Sequence, residues 1–258
     1  MDYKKIKDKS LIKLKANYLI IIIAMLIYGI VEQISRGTSF LISNQSMNIF
    51  FSIIITGLLY EGFMQIIIKT YRGKQTNIMD LFNKTDLFWK TAAITILLIA
   101  LSVICAAAEF LAGSTLYVFV NHQADLNIFL SSFMILAGVI LCTCIAALYL
   151  YLMISFSEVY KILYDNEKMP VLDIFNKSME LLEERKVDFV LFNLPYILWI
   201  TFGLIIYHMV FSLNNPGWFI ITFVILAVII FWEIPNMLVA NVGFYDELKK
   251  LDSKKTRL

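Results

Sequence analysis

Charged residues are scarce in this sequence, and that scarcity excludes most classes of soluble protein. Only 16% of the 258 residues are Asp, Glu, Lys or Arg, against about 25% in soluble globular domains. Hydrophobic residues make up 60% of the chain and are concentrated in uninterrupted blocks. A soluble fold of this length would need more polar residues to cover its cores. We therefore exclude a soluble enzyme, a nucleic-acid-binding protein and a disordered tail.

Cysteine and histidine are also too few to support most redox and metal chemistry. Cys105, Cys142 and Cys144 all lie within apolar blocks, which argues against a disulfide framework. The two histidines cannot form a histidine-rich metal site, and the chain has no C-x-x-C, H-E-x-x-H, Walker A or G-x-S-x-G motif. We predict a protein that is not an enzyme and that binds no metal or other cofactor.

Long apolar runs are what the chain has in abundance. A membrane-spanning helix needs about 20 mostly apolar residues, because lipid offers the backbone no hydrogen bonds. These runs do not alternate in polarity, which excludes barrel strands. We predict an all-α, polytopic membrane protein with six transmembrane helices, at residues 17–34, 47–68, 87–112, 126–157, 189–213 and 218–242. The predicted regions are a basic amphipathic segment (1–15), the transmembrane domain (16–245) and a charged cytoplasmic tail (246–258).

The distribution of basic residues predicts the orientation. Of the 22 Lys and Arg residues, 21 lie in the first fifteen residues, between Lys69 and Lys90, between Lys161 and Lys186, or after the last span. Arg36 is the exception. Because cytoplasmic segments are enriched in Lys and Arg, both termini are predicted to be cytoplasmic. The abundance of Lys, Ile and Asn is typical of an AT-rich bacterial genome, so we expect the bacterial cytoplasmic (inner) membrane.

An internal repeat links the second and fourth spans. The seven residues from Met79 resemble the seven from Leu172, 93 positions later. Each copy follows one span and precedes another, so spans two and three would be related to spans four and five by a parallel repeat. Each copy is predicted to form a short amphipathic helix at the membrane interface, with Asn77 as the cap of the first. The repeat residues are Asp80, Phe82, Asn83, Asp173, Phe175 and Asn176.

Two further segments carry structural predictions. Residues 3–14 place apolar side chains on one side of a helix and lysines on the other. This segment is either a helix lying on anionic inner-leaflet lipid or a plain basic anchor. In the sixth span, Pro235 has no N–H, so it frees a carbonyl about one turn earlier for a polar neighbour or water.

Polar groups within the spans predict a candidate site. Glu61 and Glu233 lie at similar depths in the inner third of their spans. Ionisable groups inside a membrane are costly, which favours a functional role. The hypothesis is a cytoplasm-facing polar cavity lined by Glu61, Gln65, Asn193, Tyr196, Glu233 and Asn236. The alternative is that both glutamates are solvated near the headgroups, while Asn and Tyr hold helices together.

The order of these features resembles a bacterial integral-membrane family, domain of unknown function 975. The resemblance rests on residues 3–7, on Gly57 to Phe63 with residues 71–74 and 80–82, on 164–166 with 176–182, and on 242–248. A related shape occurs in the membrane domain of some bacterial glycerophosphodiester phosphodiesterases. This sequence differs after Arg185, where Lys186-Val187 replaces a common glycine-histidine pair. The resemblance implies fold and topology more than mechanism.

The function that we predict from these features is non-catalytic. The chain would be a membrane component that binds a lipid, a peptide or a partner protein, in transport or bacteriocin immunity. One alternative is a secondary transporter that uses Glu61 and Glu233 as a proton or cation relay. Another is a helper in lipid metabolism. The expected partners are membrane lipids and either another protein or a second copy of the chain, and no nucleic acid.

Overall fold

The computed structural model describes residues 1–37, 45–83, 85–121, 128–213 and 216–255. Within these ranges the chain forms nine α-helices and no strands. The helices are α1 (Tyr3–Gly37), α2 (Gln45–Arg72), α3 (Phe88–Asn121), α4 (Ile128–Ser155), α5 (Val159–Asp165), α6 (Val171–Leu182), α7 (Lys186–Leu213), α8 (Pro216–Val228) and α9 (Ile234–Lys255). Short 3-10 turns at Ile78–Leu81 and Thr85–Leu87 follow α2, and a π-helical segment, Ile229–Glu233, joins α8 to α9.

Five helical stretches of the described chain are long and apolar enough to cross a membrane. They are Tyr3–Ile34, Phe88–Val118, Ser132–Asp165, Lys186–Tyr207 and Thr222–Lys254. Large apolar side chains on these helices face outward; Phe110, for example, is 75% exposed. Exposing so much apolar surface to water would be unfavourable, whereas contact with lipid is not. α2 covers the second predicted span but is not among the five, so the count of six stays a prediction.

Helix α9 connects the three buried clusters of the molecule. Val239 and Val242 pack with α1 and α2, and Tyr245 packs with α5 and α6. Ala240 and Phe244 pack with α7 and with Ile6 of α1. The apolar side of residues 3–14 therefore packs largely against other helices of the protein. This packing holds the charged ends of α1, α2, α5 and α9 close together.

At two breaks in the helices a side-chain hydroxyl donates to a backbone carbonyl. The fourth predicted span is interrupted after Ser155, whose carbonyl accepts a hydrogen bond from the Ser178 hydroxyl at 2.7 Å. The second break is the π-helical segment before Pro235. The carbonyl that Pro235 frees belongs to Phe231, and the Tyr18 hydroxyl donates to it at 2.6 Å. The prediction that a polar neighbour satisfies this carbonyl is confirmed.

Candidate functional site

The residues of the predicted cavity lie on helices that meet α9. Glu61 and Gln65 of α2 are buried, as are Asn193 and Tyr196 of α7, and Glu233 and Asn236 are half-buried. α9 contacts both α2 and α7, and α7 also contacts the π-helical segment that contains Glu233. None of these six side chains lines the pocket around Tyr60 and Tyr160 or the groove around Lys9 and Lys13. The predicted polar cavity therefore stays a prediction.

In the first copy of the repeat motif, Asp80 organises a turn. Its Oδ1 accepts a hydrogen bond from Lys69 Nζ at 2.7 Å, and its Oδ2 accepts one from the Asn77 N–H at 3.0 Å. Asn77 in turn accepts from the Met79 N–H, which completes a capping box. Desolvation alone would raise the pKa of Asp80, but the hydrogen bonds from Lys69 and Asn77 outweigh it and hold the pKa below its usual value. The predicted capping role of Asn77 is confirmed.

The two copies of the motif have different surroundings. Phe82 and Asn83 are exposed in the first copy, whereas Asp173 and Asn176 are exposed in the second. Phe175 is buried at 9% exposure and meets Phe156 edge to face, with ring centroids 5.0 Å apart. The first copy forms only a 3-10 turn, while the second begins the twelve-residue helix α6.

A network of charges, which the sequence reasoning missed, joins the ends of α2 and α5 to the middle of α9. Arg72 of α2 donates to both carboxylate oxygens of Asp165 in α5, at 2.5 and 3.0 Å, and to Asp246 of α9 at 2.7 Å. The Tyr245 hydroxyl and Lys249 Nζ also donate to Asp165, at 3.2 and 2.6 Å. One signal was available in the sequence: Arg72 and Asp165 are opposite charges at equivalent positions of the repeat.

A second group of charges is buried where α4 gives way to α5. Lys161 Nζ donates to Glu158 Oε2 at 2.6 Å, and the two side chains are 5% and 0% exposed. Glu158 Oε1 has no hydrogen-bond partner within the described part of the chain. A pair this deeply buried is costly to desolvate, so each charge depends on the other.

A cavity lined by hydroxyl groups lies between α1, α2, α3 and α5. It is open to the protein surface, has a volume of about 290 Å³ and is lined by Tyr28, Gly57, Tyr60, Thr95, Leu98, Ile99, Ser102 and Tyr160. We call it the hydroxyl-lined cavity. The sequence did not predict this cavity, because its walls come from four helices whose relative rotations the sequence does not show.

Hydrogen bonds and ring contacts hold the walls of this cavity. Thr95 Oγ1 and Tyr160 Oη are 2.9 Å apart, and the rings of Tyr60 and Tyr160 meet edge to face at 4.7 Å. A Cβ atom at Gly57 would lie 2.6 Å from Thr95 Oγ1, so glycine keeps the two helices close at this point. An apolar wall with a few fixed hydroxyls suits a ligand with an apolar body and one polar group.

Metal chemistry has no visible site in the described ranges. Among those residues no group of three His, Cys, Asp or Glu side chains is arranged to hold a metal ion. Cys105, Cys142 and Cys144 are free cysteines.

The helices, their exposed apolar surfaces and the charged ends define a helical, multi-pass membrane protein. The chain belongs to a family described as "Protein of unknown function (DUF975)", whose model matches residues 1–252. No curated protein and no solved structure matches the chain. The likeness to the membrane domain of glycerophosphodiester phosphodiesterases stays a prediction.

Proposed function

We propose that this chain is a non-catalytic, ligand-binding protein of the bacterial cytoplasmic membrane. The hydroxyl-lined cavity carries the proposal, because it combines apolar walls with hydroxyl groups among membrane helices. The ligand would be a lipid or an apolar peptide, and the cellular role would be transport or bacteriocin immunity. Binding to a partner protein or to a second copy of the chain belongs to the same proposal.

The proposed topology has six spans, with α2 as the span beyond the five apolar stretches. α2 has 28 residues, enough to cross the hydrocarbon core. Both termini and the two basic loops would be cytoplasmic. In a variant without Cys105, Cys142 and Cys144, a membrane-impermeant thiol reagent added outside should label Asn215→Cys and spare Lys168→Cys. The reverse pattern would contradict this orientation.

We also propose that the helices α2–α3 and α4–α7 derive from a parallel repeat. In each half a short element packs against equivalent positions: the Leu81 backbone lies against Gly62, and Ser178 donates to the Ser155 carbonyl, 93 positions after Gly62. The pairing of Arg72 with Asp165, also 93 apart, supports a pseudo-two-fold axis that passes near these two residues.

A photoreactive lipid tests the ligand proposal. The full chain, reconstituted in phosphatidylcholine vesicles, is exposed to a diacylglycerol that carries a diazirine on one acyl chain. We expect labelling near Leu98 and Ser102 that saturates and that unlabelled diacylglycerol reduces. Ser102→Trp, which fills the cavity, should abolish this competable labelling.

Ser114→Trp is the matched control, because Ser114 is an exposed serine of the same helix that does not line the cavity. It should label like the unmodified chain. If labelling does not saturate, or if Ser102→Trp leaves it unchanged, the cavity does not bind lipid.

One observation favours an alternative function, a secondary transporter. Glu61 is only 1% exposed although it lies in an apolar helix, and buried acids of this kind carry protons or cations in transporters. In that case Glu61→Gln or Glu233→Gln should abolish ion-coupled flux in vesicles without loss of folding. An immunity protein would instead give toxin sensitivity on deletion and tolerate both substitutions, while a helper in lipid metabolism would change lipid composition on deletion.

A further inference from the structure

A groove with excess positive charge lies between α1, the end of α2 and α9. It is open to the surface, has a volume of about 620 Å³ and is lined by Lys9, Lys13, Tyr71, Arg72, Asp246, Lys249, Lys250 and Ser253. We call it the basic groove. Its walls come from three helices, so the fold brings these side chains together.

Three of the five cations in the basic groove are paired within the protein. Arg72 binds Asp165 and Asp246, Lys249 binds Asp165, and Lys250 binds Glu247. No carboxylate of the described residues forms an ion pair with Lys9 or Lys13. These two ammonium groups are therefore the surplus charge of the groove, available to an anion from outside the chain.

Each surplus lysine places its ammonium group beside a residue at the end of α2. Lys9 Nζ lies 4.8 Å from the ring centroid of Tyr71, whose side chain is buried. Lys13 Nζ lies where a side chain on Gly73 would be, since a Cβ there would be only 2.7 Å away. Gly73 has φ +70° and ends α2, so both its conformation and its missing side chain are required.

The position of the groove favours a lipid over a soluble anion. Lys9 and Lys13 lie in the part of α1 before the bend at Asn17, and the apolar run of the helix follows. Ile12 and Leu19, two turns apart on α1, are 69% and 70% exposed. A phospholipid can place its phosphate beside the lysines and its acyl chains along this apolar surface.

We propose that the basic groove binds the phosphate headgroup of an anionic phospholipid through Lys9 and Lys13. This site is separate from the hydroxyl-lined cavity, and its test does not depend on the ligand of that cavity. The paired cations Arg72 and Lys249 add positive potential, while their own carboxylates hold them in place.

The test is a binding titration of the full chain, delipidated in a neutral detergent, with phosphatidylglycerol. Binding is followed as the rise in the thermal unfolding midpoint. Lys9→Gln/Lys13→Gln should raise the phosphatidylglycerol concentration at half-maximal shift about 30-fold. The reason is that each lysine near an anionic lipid surface contributes about fivefold to the binding constant. Lys9→Arg/Lys13→Arg keeps both charges and should keep most of the binding, which separates lost charge from lost folding.

Lys4→Gln/Lys5→Gln is the matched control, because both lysines are exposed on α1 and outside the groove. It removes the same charge and should bind phosphatidylglycerol like the unmodified chain. Phosphatidylcholine and inorganic phosphate should each give no comparable shift. Equal binding by the two Gln variants, or an equal shift with inorganic phosphate, would overturn the proposal.

Discussion

Arg72 and Asp165 form a two-pronged ion pair across 93 residues of sequence, with N···O distances of 2.5 and 3.0 Å. The pair ties the end of α2 to the end of α5, and Asp246 ties both to α9. Arg72→Gln would remove the cation that Asp165 and Asp246 share and leave only Lys249 paired with Asp165. Because charge-assisted hydrogen bonds contribute about 1.5–3 kcal/mol each, we expect a loss of about 2–3 kcal/mol in unfolding free energy. Titration with sodium dodecyl sulfate in mixed micelles measures this change.

The control for Arg72 is Lys74→Gln, two residues further along the chain. Lys74 is exposed, so its removal should change the unfolding free energy by less than about 0.5 kcal/mol. Equal effects of the two substitutions would mean that the network adds nothing beyond general positive charge.

Gly62 marks the closest approach of α2 to the turn that follows it. A Cβ at this position would lie 2.1 Å from the Leu81 carbonyl oxygen and 2.5 Å from the carbonyl carbon. Since backbone atoms cannot rotate away, we expect Gly62→Ala to destabilise the fold by at least about 1–3 kcal/mol. Gly29→Ala is the matched control, because nothing lies within 4 Å of its Cβ position. Equal unfolding midpoints for the two variants would contradict this packing.

The ionised form of Asp80 stabilises the turn after α2. Its pKa is held below the usual value in the folded state, so its contribution is complete above the unfolded pKa of about 3.9. The contribution disappears as the pH falls through the lower, folded pKa. The stability difference between the unmodified chain and Asp80→Asn should therefore be constant above about pH 5 and shrink below pH 4. Unfolding midpoints between pH 3 and 7 measure it.

Asp173→Asn, at the equivalent position of the second motif copy, is the control for Asp80. Asp173 is exposed, so this variant should lose less than about 0.5 kcal/mol at neutral pH. A stability gap for Asp80→Asn that grows on acidification would refute the assigned role of its carboxylate.

The buried pair of Glu158 and Lys161 should behave non-additively. Lys161→Met leaves a buried carboxylate without its cation and should cost about 3–5 kcal/mol, whereas Glu158→Gln/Lys161→Met should recover most of that loss. Glu247 and Lys250 have the same spacing but are 38% and 64% exposed, so Lys250→Met should cost less than about 1 kcal/mol. Additive effects at Glu158 and Lys161 would show that the two charges are independent.

Local chemistry was predictable from the sequence, whereas the contacts between distant helices were not. The capping role of Asn77 and the carbonyl freed by Pro235 follow from the geometry of one turn, and both are confirmed. The partner of that carbonyl, Tyr18, depends on how α1 rotates against the π-helical segment. The hydroxyl-lined cavity and the Arg72–Asp165 pair depend on rotations of the same kind.

The break after Ser155 is a second feature that could not be predicted from the sequence. Apolar composition alone predicts one continuous helix through this point, because no Gly or Pro interrupts it. At the interruption the Ser155 carbonyl accepts a hydrogen bond from the Ser178 hydroxyl, which reaches it only after α6 has folded back. Nothing near Ser155 in the sequence indicates that partner.

The position of Tyr245, Asp246 and Lys249 has a consequence for biogenesis. These residues belong to α9, which follows every other helix in the chain, yet they hold Arg72 and Asp165. During translation the Arg72–Asp165 pair can form once α5 has been made, but its contacts with α9 cannot form until the ribosome has made that last helix. Until then Arg72 and Asp165 lack these three partners, so the network is completed last.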